Sequence, residues 1–193
     1  MRRILCVLLA ACVAACALPF SSCKAKTLDD CDLQLFEHAT GTGDTRDIVS
    51  GVVSLGGVFN RDGVTGRVVC VNVGVAEDIA CDAVTFESLS DDVPIGKDTT
   101  EWGRSVTIDA GELSAGGYVY FAVPVKSSAT EGIDVCAYRA FGDVEFRATF
   151  SRDGQQKSYR YSIAPTERYL SWVDNPSGNS FDGARFTVTR TED

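Results

Sequence analysis

From residue 83 onward, apolar and polar residues alternate with a period of two in run after run, and no other feature limits the possible folds as strongly. In Ala83 to Ser88, Val84 and Phe86 share a face opposite Thr85 and Glu87. Val106 and Ile108 alternate with Ser105, Thr107 and Asp109. Val119, Phe121, Val123 and Val125 form another row, and Ile133, Val135 and Ala137 continue the pattern. Val144, Phe146, Ala148 and Phe150 oppose Glu145, Arg147 and Thr149, and near the end Phe186 and Val188 oppose Arg185, Thr187 and Thr189. Period two places successive side chains on opposite faces of a strand, so each run reads as a strand with one face on a core and one in water. The β-branched and aromatic content agrees. No run has a convincing helical period.

Turn chemistry separates the runs at short intervals. Asn60-Arg61-Asp62-Gly63, Ser114-Ala115-Gly116-Gly117, Phe141-Gly142-Asp143, Arg152-Asp153-Gly154 and Pro176-Ser177-Gly178-Asn179 all favour tight reversals. Of these, Arg152-Asp153-Gly154 between two patterned runs is the clearest hairpin. The expectation is an all-β fold: a single antiparallel β-sandwich, Greek-key or transthyretin-like, over residues 33–193. Its core rows should include Val84, Phe86, Val106, Ile108, Val119, Phe121, Val135, Phe146 and Val188. Ile48 to Val58 is Gly-rich and apolar and fits either a strand or a short helix.

The N-terminus has a different character. Met1-Arg2-Arg3 precedes an apolar run from Ile4 to Ala15. Charge followed by a dozen apolar residues is a secretory signal, too short for a spanning helix, which needs about 20 such residues. The run closes on Val13-Ala14-Ala15-Cys16, which resembles a bacterial lipobox and marks Cys16 as the lipidated residue. Leu9-Ala10-Ala11-Cys12 and Phe20-Ser21-Ser22-Cys23 are competing matches, and Ala15-Cys16-Ala17 as a site for ordinary signal peptidase is a further alternative. Residues 1–15 therefore read as a lipoprotein signal peptide and residues 16–32 as a tether, with solvated acids at Asp29-Asp30-Cys31-Asp32.

Loss of Arg2 and Arg3 takes the formal net charge from -9 to -11, which argues against a phosphate-backbone partner and predicts no nucleic-acid binding. There are eight cysteines, of which Cys23, Cys31, Cys70, Cys81 and Cys136 lie beyond Cys16. Export permits disulfides. The one histidine, His38, and the absence of Cys/His spacing argue against a zinc site. His38 sits in Leu35-Phe36-Glu37-His38-Ala39 without a nucleophile motif, so no catalytic residue, cofactor or metal is expected and the chain is not read as an enzyme. Asp91-Asp92 lacks the alternating oxygen ligands of a calcium loop. Tyr118, Tyr120, Tyr159, Tyr161, Tyr169 and Trp172 could form an exposed platform for sugar rings, although aromatic residues of a sandwich more often fill its core.

Two segments carry a family resemblance. Ala83-Val84-Thr85-Phe86-Glu87-Ser88-Leu89, running into Val93-Pro94-Ile95-Gly96, resembles a strand-and-turn piece of the Bacteroidales fimbrillin-like surface lipoproteins. Tyr118-Val119-Tyr120-Phe121-Ala122-Val123-Pro124-Val125, followed by Ile133-Asp134-Val135-Cys136-Ala137-Tyr138-Arg139, resembles the next hairpin of the same domain. Lys157 to Ile163 fits the strand leading to its closing edge, so the likeness spans roughly residues 65–175. The resemblance implies a lipid-anchored protein of the outer membrane or cell surface with a transthyretin-like sandwich, serving adhesion as a fimbrial or fimbria-associated subunit among other such subunits. In polymerising members an arginine-specific protease removes the first strand and a neighbouring subunit donates its replacement, and Arg46 in Asp44-Thr45-Arg46-Asp47 stands where such a cut would fall. The chain departs from the family in having room for one sandwich domain rather than two, and in its cysteine content. The expected function is structural or adhesive at the cell surface; the alternative is a surface carbohydrate-binding module.

Overall fold

The computed structural model describes residues 26–48, 51–61, 63–125, 133–142, 144–175 and 181–193. The expected signal peptide, with Cys16 and Cys23, lies outside them. Among the described residues, eleven strands make up two sheets: β1 (Ala39–Thr40), β2 (Thr45–Ile48), β3 (Val53–Arg61), β4 (Val64–Val73), β5 (Ala83–Ser88), β6 (Ile95–Gly96), β7 (Ser105–Asp109), β8 (Gly117–Pro124), β9 (Glu145–Arg152), β10 (Gln155–Pro165) and β11 (Phe186–Glu192). A seven-stranded sheet runs β1-β2-β11-β10-β9-β5-β7, and a four-stranded sheet runs β3-β4-β8-β6. Every pairing is antiparallel. The two sheets pack face to face, as the alternation predicts.

The core lies between them. Val84 and Phe86 of β5, Phe146 and Phe150 of β9, and Tyr161 and Ile163 of β10 face Val69 and Val71 of β4 and Val119 and Phe121 of β8, all buried. Burying one such side chain contributes about 1.5–3 kcal/mol, so these rows dominate the stability. Of the expected core, Val84, Phe86, Ile108, Val119, Phe121, Phe146 and Val188 are buried, while Val106 near the open edge is only partly so. The side chain of Val135 lies outside the described set. The β9–β10 turn is the expected hairpin: Arg152 pairs with Gln155, and the two loop residues, Asp153 and Gly154, both take positive φ (50° and 77°). That conformation matches the strand twist and suits Asp-Gly.

Three expectations need correction. Ile133, Val135 and Ala137 do not continue the strand pattern but begin an α-helix, Ile133–Phe141, here α2 after a single turn α1 (Ala110–Ser114). Ala137 and Phe141, one turn apart, share a helical stripe and are fully buried, with Phe141 5.7 Å from Phe121 ring to ring. A third helix, α3 (Glu167–Asp174), went unread; Thr166 caps it by accepting the Tyr169 N–H at 3.1 Å. Finally, the last residues of the expected tether belong to the folded body. Leu28–Asp30 form a 3-10 turn, Cys31 is 1% exposed, and a second 3-10 turn, Gln34–His38, follows. The undecided stretch Ile48 to Val58 resolves into the end of β2 and most of β3.

Candidate functional site

Three regions hold the residues the sequence singled out: the N-terminal segment against the seven-stranded sheet, the outer face of the four-stranded sheet, and the sheet edges.

Residues 26–40 lie against one end of the large sheet and place Cys31, Leu33, Leu35 and Phe36 in the core. Because directly paired residues of an antiparallel ladder share a face, the register Tyr161↔Arg190 and Arg46↔Val188 puts both arginines on the inner, core-facing side of their strands. There they flank Phe36, with guanidinium centres 4.9 Å (Arg46) and 5.5 Å (Arg190) from its ring centroid. Tyr161 meets the same ring edge-on at 6.0 Å. The inward charge of Arg190 is answered by Asp32, whose Oδ2 accepts from Nη1 at 2.6 Å, and by Asp44 at 3.1 Å. Asp32 Oδ1 also accepts from the Tyr161 hydroxyl and the Leu33 N–H, both at 2.8 Å. Burial pushes the Asp32 carboxyl above its ordinary value, against the pull of Tyr161 and Arg190. The same burial, with the nearby Asp32 charge, drives Tyr161 well above the usual phenol range.

This geometry refines one reading. Asp29 and Asp30 are exposed, as expected of solvated acids, but Asp32 is a partly buried ion-pair partner, and the Asp29 carbonyl accepts from Tyr159. Arg46 belongs to β2, is paired with β11, points inward and donates Nε to the Gly43 carbonyl at 2.9 Å. Among the described residues, the segment before it holds two 3-10 turns and a two-residue strand. Between them lies a cleft of about 300 Å³ bordered by Lys26, Asp30, Asp32, Phe36, Arg46 and Ile79. Its cations are engaged internally, Lys26 with Asp78 at 2.7 Å and Arg46 with Gly43. No nucleophile–base pair forms there, and exposed His38 ends the second 3-10 turn. Among the described residues, no three His, Cys, Asp or Glu side chains converge as metal ligands, and no helix is long and apolar enough to cross a membrane.

The expected aromatic platform is divided. Tyr159, Tyr161 and Tyr169 are buried, and Trp172 stacks on Tyr169 beside Phe181, an aromatic cluster that closes one part of the core. Only Tyr118 and Tyr120 keep the outward face of β8, their centroids 6.0 Å apart, with Tyr118 45% exposed. Trp102, which the sequence reading did not single out, lies close to Gly96, the residue paired with Tyr120. A methyl on Gly96 would stand 3.5 Å from that indole, and much nearer the Glu101 carbonyl, so the glycine permits the approach.

The sheet edges are unequal. β1 and β6 are two residues long, and β7 presents exposed Ser105, Thr107 and Asp109 to solvent. β3 is nine residues long, and among the described residues nothing pairs with its outer edge. A register shift between Leu55 and Val58, at Gly56-Gly57, bends it, and Val58 is 52% exposed. Bulges and short polar strands are common ways to blunt an edge; beyond the bulge, β3 keeps an open backbone and an exposed valine. No family model, curated protein or solved structure matches this chain.

Proposed function

We propose that the protein is a lipid-anchored component of the cell surface, held through Cys16 at the outer membrane, with a structural or adhesive role as a fimbria-associated subunit. The observation that carries this reading is the open edge of β3. An unpaired strand offers a row of N–H and C=O groups to an incoming strand, whose alternate side chains then extend the sheet faces. The N-terminal segment supports an accessory or terminal subunit rather than a processed, polymerising one. It supplies Leu33, Leu35 and Phe36 to the core, and Arg46 is paired in a strand with its side chain turned inward. In this reading the segment stays in place, and the partner comes to β3.

The test is self-association and partner capture by the full chain, compared with Val58→Lys. Lysine on an exposed edge position opposes strand addition without disturbing the core. Loss of assembly in Val58→Lys with an unchanged unfolding midpoint is the expected result. Equal assembly by both proteins would remove β3 from the account. A second reading, a carbohydrate-binding face, is favoured by the Tyr118–Tyr120 pair with Trp102 nearby, since flat rings stack on sugar faces. Tyr118→Ala should then weaken retardation in glycan-containing gels while leaving the assembly behaviour unchanged.

A further inference from the structure

We propose that Cys31 and Cys81 form a disulfide that fastens the N-terminal segment to the loop between β4 and β5. Both are free thiols in the structure, and both lie in the core cluster, 1% and 9% exposed. Each thiol is close enough to perturb the acidity of the other, and the Cys31 thiol donates to the Thr27 carbonyl at 3.8 Å. The surrounding backbone keeps them together. On one side Lys26 pairs with Asp78 at 2.7 Å, and on the other the Gln34 N–H donates to the Gly74 carbonyl at 2.8 Å. Cys31 is itself fixed at the end of the first 3-10 turn, its N–H on the Leu28 carbonyl at 3.1 Å. The remaining described cysteines are placed elsewhere: Cys70 faces outward on β4 beside Ser54, and Cys136 lies on α2.

The chemistry balances with a small disulfide as oxidant. Oxidised glutathione loses its S–S bond and takes up the two protons and two electrons released when the Cys31 and Cys81 S–H bonds give way to a protein S–S bond. Burial and the neighbouring Cys81 push the Cys31 thiol up to about 12, so thiolate is scarce once the chain has folded. Exchange therefore belongs to folding, before the segment closes over the pair. The bond would close a loop of roughly fifty residues, a length for which cross-linking is strongly stabilising. For its oxidising surroundings the inference rests on the proposed export of the chain, but the pairing itself is testable apart from it.

The full chain, purified in detergent and reduced, is refolded in a glutathione couple, alkylated after unfolding and mapped by peptide mass spectrometry. The expected result is a cross-linked Cys31–Cys81 peptide with Cys70 and Cys136 alkylated. The unfolding midpoint should stand about 5–10 °C above that of the reduced protein. Cys81→Ala should abolish both the link and the redox-dependent shift, and Cys70→Ala should keep both. Alkylation of Cys31 and Cys81 under oxidising refolding, a link from either to another cysteine, or an unchanged midpoint would overturn the proposal. Fatty-acid labelling at Cys16 reads the export proposal separately, so the two failures are distinguishable.

Discussion

Phe36 sits between two arginines on the inner side of a β-sheet, where Asp32, with Asp44, answers the charge of Arg190. A charge turned toward a core is expensive unless paired and hydrogen-bonded. Asp32→Asn keeps the shape and removes the charge, leaving Arg190 with Asp44 alone. We expect it to cost about 1–3 kcal/mol in urea unfolding, and a loss below about half a kcal/mol would show that Asp44 suffices. The pH response has opposite signs at two carboxyls. Burial holds Asp32 above its ordinary 3.8, so the folded chain retains a proton there that the unfolded chain gives up. This group's contribution to stability therefore falls as pH rises from about that value through the raised one. Asp193, hydrogen-bonded to Arg147, is held below 3.8, so its contribution is present above that value and lost as pH falls through the lowered one. Carboxyl titration by NMR should place Asp32 above and Asp193 below 3.8; the reverse order would contradict the described pairings. In the central aromatic stack, Phe121 touches Phe141 and Phe146 at 5.7 and 5.5 Å, and Phe121→Ala should cost about 3–5 kcal/mol in the same assay. Phe121 was legible from alternation alone. The role of Asp32 was not, because an acid in a polar run carries no sign of the strand 158 positions away whose arginine it meets.

Among the elements, the cleanly alternating strands were legible and the helices were not, for a definite reason. β5, β9 and β11 bury one face only, so their sequences alternate cleanly, and β8 does so until Phe121-Ala122-Val123, where both faces are buried. β4 has no such simplicity: Val68 and Cys70 are buried on its outer face as Val69 and Val71 are on its inner one. Helix α2 carries both periods at once, and it plugs the gap between β4, β8 and β10, a tertiary role that no local pattern announces. The N-terminal segment misled through composition, since lysines, serines and aspartates read as linker while Cys31, Leu33 and Leu35 do the packing. Its integration has a direct consequence for proteolysis. Proteases need several extended residues of accessible backbone, and β2 is paired at Arg46. Limited trypsin digestion should therefore cut first after Lys97, exposed in a bend outside the strand ladders, and after Arg46 only once the domain opens. An early cut at Arg46 that leaves a folded remainder would restore the processing reading and make the segment an exchangeable piece.

At the scale of the whole molecule, the proposed lipid anchor lies just upstream of an N-terminal segment that is built into the core of the sandwich. The spacing matters: from Cys16, about ten residues reach Lys26, where the described body begins, so an extended chain would hold the domain within about 35 Å of the lipid. A domain held so close to the membrane would present β3 and the Tyr118 face to partners at the cell surface. A single acyl chain binds a membrane only marginally, whereas several chains on one cysteine make the attachment stable. The most direct test is metabolic labelling with a clickable fatty-acid analogue, comparing the wild type with Cys16→Ala and Cys23→Ala. The account predicts label on the wild type and on Cys23→Ala, and none on Cys16→Ala. A wild-type chain that takes no label, or one whose label survives Cys16→Ala and disappears in Cys23→Ala, would contradict the anchor at Cys16.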